Sequence, residues 1–178
     1  MKFKTIHSQP IYQGRAFSVR KDQVRLPDGA ETHLDIVEHV GAVTILPIDE
    51  QGNIWFVRQY RHAAGLEMLE LPAGTLEPGE PPETCAHREI REEIGMGARR
   101  LQKIGEFYLA PGYSSEFMHI FLATDLYPAP LEGDIDEFLQ IEQIALARIP
   151  ALIRAGEIID AKTLAAFQLA DPYLNVGE

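Results

Sequence analysis

The sequence predicts an α/β fold with a small N-terminal antiparallel sheet, and three observations carry that reading. Two nearly continuous apolar runs of strand length occur at residues 41–48 (GAVTILPI) and 54–57 (IWFV). An amphipathic helix lies between Pro81-Pro82 and Gly95. Two strand-like runs, 17–26 and 31–39, flank Pro27-Asp28-Gly29, a strong turn signal. Residues 1–40 therefore read as an N-terminal β region and residues 41–178 as the main domain.

Composition sets the outer limits. A chain of 178 residues is long enough to bury about 70% of the surface its unfolded form exposes. With 46% hydrophobic and 24% charged residues it reads as an ordinary globular protein. No apolar run approaches the roughly 20 residues needed to span a bilayer, and MKFKTIHSQP lacks the apolar core of a signal peptide. The expectation is a cytoplasmic protein without a membrane partner. The net charge of -11 argues against nucleic acid as a partner, because a phosphate backbone needs a basic surface. It leaves room for a small anionic substrate, since a few arginines or a metal ion supply positive charge locally. The single cysteine, Cys85, has no partner for an internal disulfide and reads as a packing residue.

Taken in order, the 17–39 hairpin alternates only loosely, so it holds no large core of its own. The apolar runs at 41–48 and 54–57, joined by a turn at 49–53, read as a central antiparallel hairpin. Arg58 and Arg61 follow, and strand-end arginines suit phosphate because guanidinium makes forked hydrogen bonds; the other reading is plain surface charge.

In the helix, Pro82 suits the first turn, where a missing amide hydrogen costs nothing, and Gly95 suits the left-handed end. Ala86, Ile90 and Ile94 form one apolar stripe, with Glu89, Glu92 and Glu93 clustered beside it. Like charges at these spacings repel by about 0.2–0.5 kcal/mol per pair. Acids in the last turn also oppose the helix dipole by about 0.3–1 kcal/mol each. Such repeated violation points to a compensating cation, and all-oxygen ligands favour magnesium or manganese over zinc. For an isolated helix the alternative is a solvated acidic face balanced by Arg88 and Arg91.

Beyond the helix, 101–109 and 118–123 read as strands around a loop at 110–116. Residues 127–137 (YPAPLEGDIDE) read as an acidic loop, 138–145 as a strand and 150–155 as a short helix closed by Gly156. A last helix runs from an Asp160 cap to Ala170, its Leu164, Phe167 and Leu169 turned to the core.

The stretch 74–96 spaces Gly74, Glu80, Arg88-Glu89, Glu92-Glu93, Gly95 and Met96 as the Nudix box does, and the chain is identified on this pattern as a member of the Nudix hydrolase family. The resemblance implies a Nudix-type α/β/α sandwich with a mixed β-sheet. It implies that Glu89 and Glu93 bind divalent ions with help from Glu92, that the Ala73 carbonyl completes the shell, and that Glu80 and Arg88 form a structural ion pair. The RQYR run, Glu70-Leu71-Pro72-Ala73-Gly74, Pro111 and Gly112 to Glu116 resemble the ADP-ribose pyrophosphatase branch. In that branch a residue matching Arg61 contacts phosphate, Arg15 reaches the substrate from the N-terminal region, and acids near Glu70, Glu77 and Glu116 help hold it. The late acidic loop resembles the one that carries the general base, which matches Glu137, with Asp134 and Asp136 as alternates. A homodimer joined through the N-terminal sheet is implied as well, against a monomer with an accessory hairpin.

The expected activity is Mg2+-dependent hydrolysis of the pyrophosphate of ADP-ribose, with Mn2+ a possible substitute, and catalytic residues Glu89, Glu93 and Glu137. Two alternatives stay open: a Nudix enzyme acting on another nucleoside diphosphate derivative, and a non-catalytic nucleotide-sensing domain. Retention of every box glutamate counts against the second.

Overall fold

The computed structural model describes residues 2–133 and 138–174. Strands β1 (Lys4–Gln13), β2 (Ser18–Arg25) and β3 (Glu31–Glu38) form an antiparallel sheet in that order. The Pro-Asp-Gly turn closes β2 onto β3, with Gly29 at φ 91° and the Asp28 carboxylate accepting from the Ala30 amide at 3.0 Å. Strand β1 was not legible in the sequence. Every residue in it is exposed, so no buried face imposes a period of two, and Pro10 interrupts it.

The main domain places helices on both faces of its strands. Strands β4 (Ala42–Pro47), β7 (Ala73–Thr75), β8 (Met96–Tyr108) and β9 (Phe117–Pro128) make a four-stranded sheet in the order β7-β4-β9-β8. Within it β4 and β9 are parallel and the other pairs antiparallel, so the sheet is mixed. Strands β5 (Asn53–Arg61), β6 (Leu66–Glu70) and β10 (Gln140–Ala145) form an antiparallel sheet ordered β10-β5-β6. Helix α1 (Pro82–Ile94) covers one side through Ala86, Ile90 and Ile94 against Val43, Ile45, Val57 and Phe121. On the other side α2 (Ile149–Ala155) and α3 (Ala161–Leu174) pack on Leu46, Phe56, Ile120 and Leu122. Covering both faces explains why β4 is buried at all six positions and reads as an unbroken apolar run.

The expected hairpin of β4 with β5 is not present. The two strands belong to different sheets and share only an isolated bridge, Ile48 with Ile54. The turn between them is as read, with Asp49 accepting from the amides of Gln51 and Asn53. Runs apolar on both faces carry no register signal, so their true partners lay in distant segments. Strands β8 and β9 also outrun the predicted 101–109 and 118–123, each pairing with the other along nearly its whole length. Helix α3 continues past Ala170 to Leu174 with Pro172 inside it, near its end, where the missing proline amide removes one helical hydrogen bond.

Candidate active site

Helix α1 is built to hold its acids at a surface. Pro82 occupies its start, and Gly95 ends it at φ 70°, donating its amide to the Arg91 carbonyl at 3.2 Å. With Ala86 and Ile90 fully buried, the helix cannot rotate without exposing its core face, and Glu89, Glu92 and Glu93 are fixed along the adjoining flank. Glu89 and Glu93 are themselves largely buried. Glu93 Oε2 accepts from the Ala73 amide at 2.9 Å, tying α1 to β7.

Arg88 is the hub of this flank. Its Nε and Nη2 grip Glu80 in a fork at 3.1 and 3.0 Å, the ion pair that the resemblance implies. Its Nη1 lies between Glu89 Oε1 at 2.6 Å and Glu92 Oε2 at 2.9 Å. Arg88 holds the Glu80 carboxyl down at about 2, and Glu80 also accepts from the Glu77 amide, closing the 77–80 loop onto the helix. Burial, and then the charge of Glu89, push the Cys85 thiol up, so Cys85 is an inert packing group beneath the loop.

A second ion cluster faces α1. Arg61 at the end of β5 donates through Nε and Nη2 to the two Glu70 oxygens at 2.8 and 2.7 Å. Glu70 is only 1% exposed and also receives Lys162 from the first turn of α3. Burial alone would raise the Glu70 carboxyl, but Arg61 and Lys162 together bring it below the usual carboxylate range. Both its oxygens are thus engaged within the protein.

These groups border one cleft of about 820 Å³. Arg15, Arg61, Glu70, Ala73, Glu77, Glu89, Glu92 and Glu116, all singled out in the sequence, line it. Glu93 does not line it and sits behind Ala73. Glu137, Asp134 and Asp136 lie outside the described residues. The segment leading to them is pinned to the end of α1, where the amides of Ala129 and Leu131 donate to the carbonyls of Gly95 and Arg91. Sequence reading missed Lys162 and the apolar wall of Met68, Leu109 and Met118. Lys162 left one faint signal, a cation in the first turn of a helix, where the dipole disfavours it.

Among the described residues no three acidic, histidine or cysteine side chains converge into a ready metal cage, and Arg88 bridges two of the acids. The donor chemistry still fits a hard divalent ion. Three carboxylates share a flank, two of them paired to the Arg88 guanidinium and the third to the Ala73 amide, and all three offer oxygen donors.

A mixed sheet between helices, with an acidic helix bordering a cleft that also holds Arg15, Arg61 and Lys162, suits a hydrolase of nucleotide phosphoanhydrides. The chain belongs to the NUDIX family: the NUDIX domain pattern matches residues 38–167, and that of the nucleoside diphosphate sugar hydrolase N-terminal domain matches residues 3–32. It is similar to an ADP-ribose pyrophosphatase of Bacillus subtilis (strain 168), with 39% identity over 98% of this chain and 94% of that protein. A second ADP-ribose pyrophosphatase, from Mycobacterium tuberculosis (strain ATCC 25618 / H37Rv), is 46% identical over 70% of this chain and 60% of its own length. A crystal structure of an ADP compounds hydrolase superposes with a TM-score of 0.87 at 28% identity, covering 98% of this chain and 95% of that one. The chain is therefore a Nudix hydrolase with a small-molecule nucleotide substrate, in a family that generally uses a divalent metal. Among the described residues no helix is long and apolar enough to cross a membrane.

Proposed function

We propose that this enzyme hydrolyses the pyrophosphate of ADP-ribose, adding one water to give AMP and ribose 5-phosphate, with Mg2+ as its ion and Mn2+ able to substitute. The observation that carries this is the meeting of Arg15, Arg61, Glu77 and Glu116 with Glu89 and Glu92 around a single cleft. Its volume of about 820 Å³ suits a nucleotide with a second sugar attached. The names of the similar proteins agree with this substrate.

Glu89, Glu92 and Glu93, with the Ala73 carbonyl, would hold the ion, which when bound polarises phosphoryl oxygens and lowers the pKa of water. The chain's own residues do the rest. Arg61, oriented by its fork to Glu70, presents its remaining donors to a phosphate oxygen. Arg15 adds charge from the segment after β1, and Glu77 and Glu116 accept from sugar or base hydroxyl and amino groups. Glu70, with both oxygens engaged by Arg61 and Lys162, serves as a positioning residue for those cations. Glu137 takes the proton of the attacking water as the phosphorus–oxygen bond of the leaving phosphate breaks. The anchoring of residues 129 and 131 at the end of α1 supports this role, because it starts the base loop at the C-terminal end of the acidic helix, with Gly133 close to Glu92.

The enzyme works as a cytoplasmic homodimer joined through the β1-β2-β3 sheet. Support comes from β1, an edge strand exposed along all ten residues with Ile6, Ile11 and Tyr12 at the surface; such edges are normally covered. A second substrate reading is a nucleotide sugar, favoured by the match of residues 3–32 to an N-terminal domain of nucleoside diphosphate sugar hydrolases.

The deciding experiment measures product release from ADP-ribose, nucleotide sugars, dinucleoside polyphosphates and oxidised nucleotides with Mg2+, Mn2+ or chelator. Preference for ADP-ribose, abolished by chelator, is the expected result. Preference for a nucleotide sugar would move the assignment to the second reading.

A further inference from the structure

Lys162 sits where a lysine is costly to place. It is the second residue of α3, in a turn where the helix dipole opposes positive charge. Its side chain is only 12% exposed, so most of its rotamer freedom is lost. A purely structural role would be to neutralise the buried Glu70, yet Arg61 already does so with a two-bonded fork.

The surroundings fix the head group with unusual redundancy. Asp160 caps α3 by accepting from the Thr163 amide at 3.0 Å and hydroxyl at 2.6 Å. Thr163, fully buried, accepts in turn from the Leu71 amide at 3.0 Å, which stitches the start of α3 to the residue after Glu70. Lys162 Nζ rests on Glu70 Oε2 and lies 3.0 Å from Asp160 Oδ2. Arg61 Nη2 binds the same Glu70 oxygen, so the two cations stand side by side on the cleft wall. An ammonium carries three donors. Glu70 takes one and Asp160 engages at most one more, which leaves a donor for a ligand in the cleft.

We propose that Lys162 is a substrate-binding residue whose ammonium takes a phosphate oxygen of the nucleoside diphosphate beside Arg61. The inference rests on the pyrophosphatase reading above. It makes α3, which the sequence presents as a core helix, the supplier of the second anion-binding cation. Glu70 then aligns two cations at once.

The test compares wild type with Lys162→Met and Lys162→Arg. It measures kcat and KM for ADP-ribose, and affinity for inorganic pyrophosphate and for uncharged adenosine with Mg2+ present. Losing a hydrogen bond to a charged group corresponds to about a tenfold weaker interaction. Lys162→Met is expected to raise KM and weaken pyrophosphate binding by about tenfold, leave adenosine binding unchanged, and be largely rescued by Lys162→Arg. Unchanged pyrophosphate affinity in folded Lys162→Met, or equal losses for adenosine and pyrophosphate, would overturn the proposal, since the second pattern means a distorted cleft. If Lys162→Met does not fold, Lys162→Gln keeps a donor toward Glu70 and is read by the same outcomes. Wild-type turnover of ADP-ribose tests the enzyme reading separately, because pyrophosphate binding is scored without it.

Discussion

Gly74 lies so close to Glu89 that a Cβ built on it would stand 1.8 Å from the Glu89 carboxylate carbon. The glycine is needed there for space, because β7 and the acidic flank of α1 leave no room for a methyl group between them. The obstructing atoms are the end of a flexible side chain, so Gly74→Ala should displace the Glu89 carboxylate and spare the fold. Turnover is expected to fall more than about tenfold while melting temperature moves by only a few degrees. A large fall in melting temperature with normal turnover of the folded fraction would show that Glu89 tolerates displacement.

Glu93→Gln keeps an oxygen able to accept from the Ala73 amide, and removes the charge. Turnover should drop by orders of magnitude at unchanged stability. Near-normal activity at saturating Mg2+ would defeat the assignment of Glu93 to the ion.

The Glu80–Arg88 pair sets a pH dependence of stability. Arg88 lowers the Glu80 carboxyl from 4.5 to about 2, so the unfolded chain binds this proton more readily than the native one. The contribution is complete above about 4.5 and is lost as pH falls toward about 2. Urea melts of wild type and Glu80→Gln across that interval should therefore converge at low pH. A gap that persists at pH 2 would mean the side chain acts through packing.

For Glu137 as the proposed general base, Glu137→Gln should lower kcat more than it raises KM, because a base acts in the transition state and not in binding. If both constants hold, Asp136 and then Asp134 become the residues to replace.

Solution mass tests the N-terminal sheet. Light scattering should report twice the chain mass for wild type and a shift toward the single-chain mass for Ile11→Glu, which puts a charge on the exposed β1 edge. A monomeric wild type would dismiss the dimer.

Much of the site was legible because its parts are local. The 74–96 segment carries its own start in Pro82, its own stop in Gly95, and its ion pair within eight residues, Glu80 to Arg88. Helical periodicity then decides which side chains share a flank, and Glu89, Glu92 and Glu93 appear there. The hairpin from β2 to β3 was equally local, specified by one turn. By contrast, the partners of β4 are β7 and β9, far from its neighbour β5 in sequence. An apolar run names no partner, so pairing was open until packing on both faces chose it.

The sequence by itself determined the family and the acidic helix, since spacing along one loop and one helix carries that information, and the resemblance that spacing supports pointed to Arg15, Arg61, Glu70, Glu77 and Glu116 but to neither Lys162 nor the apolar wall of the cleft. Tertiary structure alone decided that β4 and β5 part into two sheets, that Glu70 faces inward between two cations, and that α3 brings Lys162 to the cleft. The physical reason is distance along the chain. Arg61 and Glu70 meet within the paired strands β5 and β6, but Lys162, 92 residues beyond Glu70, joins them only once Thr163 docks on Leu71, and no local propensity or periodicity encodes a contact of that kind.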